Sequence, residues 1–138
     1  MEGAKARVKM ERIKRFEDLE AFQKARALCK EVYQITSIEP FKSDYRYVQQ
    51  IRAAAGSIMD NIAEGYERNG NREFLNFLYI SKGSCGEVRS QLLRAHDVGF
   101  LSDSQFEQLY NDALEIGRKL FHLIQTIKQK GNPGCKYL

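Results

Sequence analysis

Four stretches of this chain carry apolar residues at alternating three- and four-residue intervals, each closed by residues that interrupt helices. That spacing gathers the apolar side chains along one side of an α-helix, so every stretch has a stripe to bury against a neighbour. In the first, at about 17–38, the stripe is Leu19, Phe22, Cys29, Val32 and Ile35, and Pro40 disfavours helix at the residue before it. The second, at about 44–68, opens after Ser43 or Asp44 and carries Val48, Ile51, Ala55, Ile58, Ile62 and Tyr66. Asn69-Gly70-Asn71 breaks it, because these residues enter turns at little cost. Phe74, Leu78, Ser81, Cys85, Val88, Leu92 and Ala95 form the third stripe, at about 72–98, which stops at Gly99. Ser102 and Gln105 form a capping-box pair before the fourth, at about 103–130, with Phe106, Leu109, Ala113, Ile116, Leu120, Leu123 and Ile127.

Long helices joined by connections of a few residues must run antiparallel to their neighbours. The expectation is an all-α protein, an up-down-up-down four-helix bundle over 16–131, between a basic N-terminal arm at 1–15 and a tail at 132–138. Gly56, Gly83 and Gly86 fall inside predicted helices, where each costs about 1 kcal/mol relative to alanine. The reading that accounts for them is close approach of the second and third helices.

The residues needed for catalysis or metal binding do not assemble in the sequence. A di-iron bundle needs Glu-x-x-His on two helices, but His96 and His122 follow Leu93 and Lys119 at that spacing. The three cysteines, Cys29, Cys85 and Cys135, form no CxxC pair and no zinc spacing. No phosphate-binding glycine loop is present, and nothing in the spacing selects Cys85 and His96 as a nucleophile and base. The expectations are therefore no catalytic residue, no metal and no cofactor. No run of about 18 apolar residues exists to span a membrane, and no apolar stretch follows the basic start as in a secretory signal. A cytoplasmic protein is expected.

Charge is distributed unevenly. Residues 1–15 hold six bases against two acids, and the chain from Arg118 onward holds five bases and no acid. In the expected topology Lys9, Arg12, Lys14, Arg15, Arg68, Arg72, Lys128 and Lys130 converge on one pole. The other pole receives Glu39, Asp44, Asp97 and Asp103. A basic pole can neutralise phosphates without reading sequence. Equally, lysines at a helix C-terminus offset its dipole, and an arm can be a solvated tail.

Residues 16–25, reading FEDLEAFQKA, resemble the opening of the four-helix bundle proteins encoded within intervening sequences of bacterial large-subunit ribosomal RNA genes. The stretch QIRAAAGSIMDNIAEG at 50–65 is a more specific match, followed by EFLNFLYISKGS at 73–84, Glu87, Gln91-Leu92 and Gly99-Phe100-Leu101. Phe22 stands where the pattern has Trp, and Ala53 where a second Arg follows Arg52. The resemblance implies a homopentamer of bundles around a central channel. It extends to the accessory proteins of diversity-generating retroelements, which work with a reverse transcriptase and its RNA. Arg52 joins the candidate nucleic-acid contacts on this basis, while Gln50, Asn61, Glu64, Ser84 and Glu87 are expected to hydrogen-bond between helices or subunits. Two functions remain open: a non-enzymatic oligomer that binds RNA, DNA or a ribonucleoprotein through its basic pole and channel, and a protein–protein adaptor that binds no nucleic acid.

Overall fold

The computed structural model describes residues 13–68 and 70–130. After a 3-10 turn at Phe16–Asp18 come four helices: α1 (Glu20–Ile35), α2 (Tyr45–Glu67), α3 (Asn71–Asp97) and α4 (Asp103–Lys130). A second 3-10 turn, Phe41–Ser43, links α1 to α2, and there is no strand among the described residues. Cross-helix partners run in opposite order along each pair. Tyr47 meets Gln91 and Ser57 meets Ser84 between α2 and α3. Cys85 meets Ala113 and His96 meets Asp103 between α3 and α4. Glu20 meets Lys119 and Lys24 meets Glu115 between α1 and α4, closing an antiparallel bundle.

The first helix is shorter than its apolar spacing predicts. Leu19 is extended (φ −73°, ψ 130°), which detaches the 3-10 turn from α1. At the other end Thr36 Oγ1 donates to the Val32 carbonyl at 2.7 Å and Ser37 Oγ to the Tyr33 carbonyl at 2.8 Å, so the chain leaves the helix well before Pro40. The Ser37 hydroxyl takes the carbonyl that its own N–H would need in a continuing helix, and that N–H turns to the Gln34 carbonyl at 3.2 Å, whereas the Val32 carbonyl still accepts the Thr36 N–H. Asp44 caps α2 by accepting from the Tyr47 N–H at 3.2 Å. Gly99 (φ +83°) ends α3: its N–H donates to the His96 carbonyl and that of Phe100 to the Ala95 carbonyl, the paired bonds of a Schellman motif. Three residues later Ser102 and Gln105 cap α4 reciprocally, at 2.9 and 3.2 Å. Replacing Ser102 by alanine should cost about 1 kcal/mol in urea unfolding; an unchanged midpoint would show that the α3–α4 connection does not depend on this cap.

The stripes meet in one core. Ile51, Ile58, Ile62, Leu78, Leu92, Ile116 and Leu120 are fully buried. The reading of Gly56, Gly83 and Gly86 as close-packing residues is overturned, since a Cβ built on any of them meets nothing within 4 Å. The tight crossing is at Gly65, where a Cβ would lie 2.6 Å from Phe77 Cβ and 3.2 Å from the Phe74 ring. Serines make the other close contacts: Ser81 Oγ donates to the Ile58 carbonyl at 2.7 Å, and Ser57 Oγ lies 2.9 Å from Ser84 Oγ. A hydroxyl at a helix crossing is short enough to permit approach and finds a partner across it.

Candidate nucleic-acid interface

The antiparallel order brings the start of α1, the α2–α3 connection and the end of α4 to one pole. Arg68 follows α2 in extended conformation (φ −72°, ψ 152°), and Gly70, at φ +115°, starts α3 without a side-chain cap. Arg72 is exposed in the first turn of α3, and exposed Lys128 and Lys130 occupy the last turn of α4. Lys14 and Arg15 are exposed beside the 3-10 turn. The Lys14 N–H donates to the Asp18 carboxylate at 3.1 Å and Arg15 Nε at 3.4 Å, and these bonds hold Asp18 below its ordinary carboxylate pKa. Lys9 and Arg12 lie outside the described residues.

Arg68 is spoken for only loosely. Its guanidinium stacks over Phe77 at 5.0 Å and pairs with Glu64 at 3.1 Å, with both side chains about half exposed. Exposed pairs of this kind contribute roughly 0–1 kcal/mol, so a phosphate can compete for the guanidinium. Asn71 lies beside this connection, 5% exposed, and neither its side-chain nitrogen nor its oxygen has a hydrogen-bond partner. The far pole is acidic and aromatic. Glu39, Asp44, Asp97 and Asp103 lie there over Phe41, Tyr47 and Phe100, whose ring centroids are 5.0–6.1 Å apart.

Arg52 does not join the basic pole. It packs over Tyr33 at 4.4 Å and donates to Thr36 Oγ1 at 2.9 Å and Ser37 Oγ at 3.2 Å, clamping α2 to the C-terminal end of α1. The polar family residues also divide. Asn61 Nδ2 donates to the Ser57 carbonyl (2.8 Å) and lies 2.9 Å from Ser57 Oγ, which extends the Ser57–Ser84 bridge. Glu64 faces out to Arg68. Gln50 and Glu87 make no hydrogen bond among the described residues and line an open groove between α2 and α3, floored by Ala53 and Ala54 and bordered by Ser90, Gln91 and Arg94. The sequence signal for that groove was the run of small residues at 53–57, which serves as its lining as well as the helix crossing.

The Cys85 thiol and the His96 ring each have a partner. The Cys85 thiol donates to the Ala113 carbonyl at 3.0 Å, and burial pushes its pKa up to about 11 against the pull of nearby Arg89. The folded state thus keeps a proton that the unfolded thiol loses near 9.0, so this group's contribution to stability falls as pH rises from about 9 towards 11. Iodoacetamide at pH 8 should leave Cys85 unmodified until the chain unfolds, as read by peptide mass; rapid labelling in the native state would contradict the buried, hydrogen-bonded thiol. His96 Nε2 lies 2.7 Å from Asp103 Oδ1 and its ring stacks on Phe106 at 4.5 Å. Among the described residues no group of three His, Cys, Asp or Glu side chains could hold a metal, and no helix is long and apolar enough to cross a membrane.

Fold and surface together define an antiparallel four-helix bundle. The chain belongs to the 23S rRNA-intervening sequence protein family, whose model matches residues 17–122. A solved structure from Bacteroides thetaiotaomicron, a protein of unknown function from the S23 ribosomal protein family, has the same fold. It superposes with a TM-score of 0.70 at 22% identity, over 75% of this chain and 97% of that one. No curated protein matches the chain in sequence.

Proposed function

We propose that this chain is a non-enzymatic, homopentameric bundle that binds RNA or DNA, or a ribonucleoprotein such as a reverse-transcriptase complex, through its basic pole and the channel of the ring. The observation that carries this reading is the gathering of six basic side chains at one end of the bundle, where they alternate with carboxylates such as Glu17, Glu67 and Glu73. Arg68, Arg72, Lys128 and Lys130 share one end with Lys14 and Arg15, while Asp44, Asp97 and Asp103 share the other. The membership of the chain in a family named for 23S rRNA-intervening sequences supports the nucleic-acid half. Assembly into a ring would gather the basic ends on one rim, and several weak phosphate contacts held together bind far more tightly than any one alone.

The test is binding of mixed-sequence RNA and DNA by fluorescence anisotropy across a salt series, with mass measured by light scattering. Affinity should fall steeply with salt, since each neutralised phosphate adds about 0.7–0.9 to the slope of log affinity against log salt. The Arg68→Ala, Arg72→Ala pair should weaken binding to unrelated sequences alike by at least about tenfold and flatten that slope. Binding with no salt dependence, or unchanged in the double variant, would overturn the basic-pole mechanism. No binding near physiological salt by an intact oligomer would assign the chain to protein–protein adaptor function instead.

A further inference from the structure

The groove between α2 and α3 has polar groups that neither the helix crossing nor the basic pole uses. Its volume is about 670 Å³. Ala53 and Ala54 form the floor, and no large apolar side chain lines it. Gln91, on its wall, is only 5% exposed, and its side-chain oxygen has no hydrogen-bond partner. Buried amides are nearly always bonded, so an orphaned acceptor beside an open groove marks a place for a ligand's donor. Rotation about the last torsion of the side chain turns that amide towards the groove at little cost.

Charge is ordered along the groove. At about 1.5 Å per residue from the acidic pole, Arg46 of α2 and Arg94 of α3 stand nearly level, about 2 and 5 Å in. Arg46 lies one turn before Gln50 on the same helix face, and Arg94 lines the groove. The Arg94 guanidinium stacks on the Tyr47 ring at 4.4 Å, which fixes the group and leaves its N–H donors for a ligand. Neither arginine makes a hydrogen bond or ion pair among the described residues. Asp97 flanks this end from one turn farther out, and the next carboxylate facing the groove is Glu87, about 15 Å in. Between them stand the Gln50 and Gln91 amides, at about 8 and 9 Å.

We infer that this groove binds a nucleotide, either free or as one unit of a single strand. The phosphate sits between Arg46 and Arg94, and the ribose passes between Gln50 and Gln91, whose orphaned oxygen accepts from a hydroxyl. The base lies flat on Ala53 and Ala54, where side chains end at Cβ, with its N–H edge at the Glu87 carboxylate. About 10–13 Å separates the guanidinium pair from Glu87, the length of an extended mononucleotide. Guanine suits the carboxylate best, because its N1–H and N2–H donors lie side by side as the two carboxylate oxygens do. An amphipathic partner helix is disfavoured as occupant, since nothing apolar larger than alanine lines the groove. The site lies away from Arg68 and Arg72 and does not rest on the basic-pole reading.

The experiment is titration calorimetry of the full-length protein with GMP, guanosine and UMP, with helix content followed by circular dichroism. GMP should bind at least about tenfold more tightly than guanosine or UMP, as charge-assisted hydrogen bonds to phosphate and base require. Arg46→Ala should lower GMP affinity by at least about tenfold while leaving guanosine unchanged, and Glu87→Gln should remove the preference for GMP over UMP. Ala53→Phe fills the groove from an exposed position and should abolish binding with the helices intact, whereas the Arg68→Ala, Arg72→Ala pair should leave it unchanged. Competition by a short guanine-containing RNA would assign the site to single strands, and its absence to free nucleotides. No GMP binding by the folded protein, or GMP binding that survives Ala53→Phe, overturns the site. Absence of GMP binding together with a lower mass for Ala53→Phe in light scattering overturns it in favour of an interface between copies.

Discussion

Gly65→Ala is expected to destabilise the bundle by about 2 kcal/mol, although alanine is the better helix former by about 1 kcal/mol. The added methyl would sit 2.6 Å from Phe77 Cβ, and two Cβ atoms cannot be separated by rotating a side chain. Relief requires α2 and α3 to move apart near their connection, which disturbs the edge-to-face pair of Tyr66 and Phe74 at 5.7 Å. Overpacking of this kind costs roughly 1–3 kcal/mol and more where backbone must shift. Gly56→Ala, on the same helix but with nothing within 4 Å of its Cβ, should gain about 1 kcal/mol. Urea midpoints of the two variants at one protein concentration give the comparison. Equal midpoints would mean that the helices are not in contact at Gly65.

Phe41→Ala should have the largest effect on stability of any single change considered, about 3–5 kcal/mol. Phe41 sits in a three-residue 3-10 turn yet is 0% exposed, with its ring centroid 5.1 Å from Tyr47 and 5.0 Å from Phe100. It closes the acidic end of the core against Tyr47 of α2 and Phe100 of the α3–α4 connection. Against a total stability of roughly 5–15 kcal/mol the loss is severe. Thermal unfolding followed by circular dichroism should show a midpoint lower by 10 °C or more, on the order of 4 °C per kcal/mol for a domain of this size. A shift of a degree or two would place Phe41 outside the cooperative core.

The helices were legible because their apolar spacing and their punctuation agree. Ser102 with Gln105, Asp44 and Gly99 each make the capping interaction that their residue types suggest. The ends of α1 were less legible, since Thr36 and Ser37 end it through local hydroxyl bonds that no periodicity reveals. Phe41 was invisible for a related reason: a single apolar residue between two helices has no period. The glycines misled because composition says how much room a residue leaves, and only the fold says whether anything enters it. Of the candidate interface, Arg68, Arg72, Lys128 and Lys130 could be placed from topology alone, whereas the turn of Arg52 towards Tyr33 depends on a neighbouring helix whose rotation the sequence does not specify.

The serine bridges between α2 and α3 have a consequence for how that pair can fail. Two helices packed through Ile, Leu and Ala alone could slide by one turn, about 5.4 Å, and still bury similar surface. Here such a slip would separate Ser81 from the Ile58 carbonyl and Ser57 from Ser84, taking from the buried Ser81 hydroxyl its partner across the helix pair. A buried hydroxyl left without a partner costs about 1–3 kcal/mol. The two helices are keyed to a single register, so the pair is expected to separate cooperatively rather than creep.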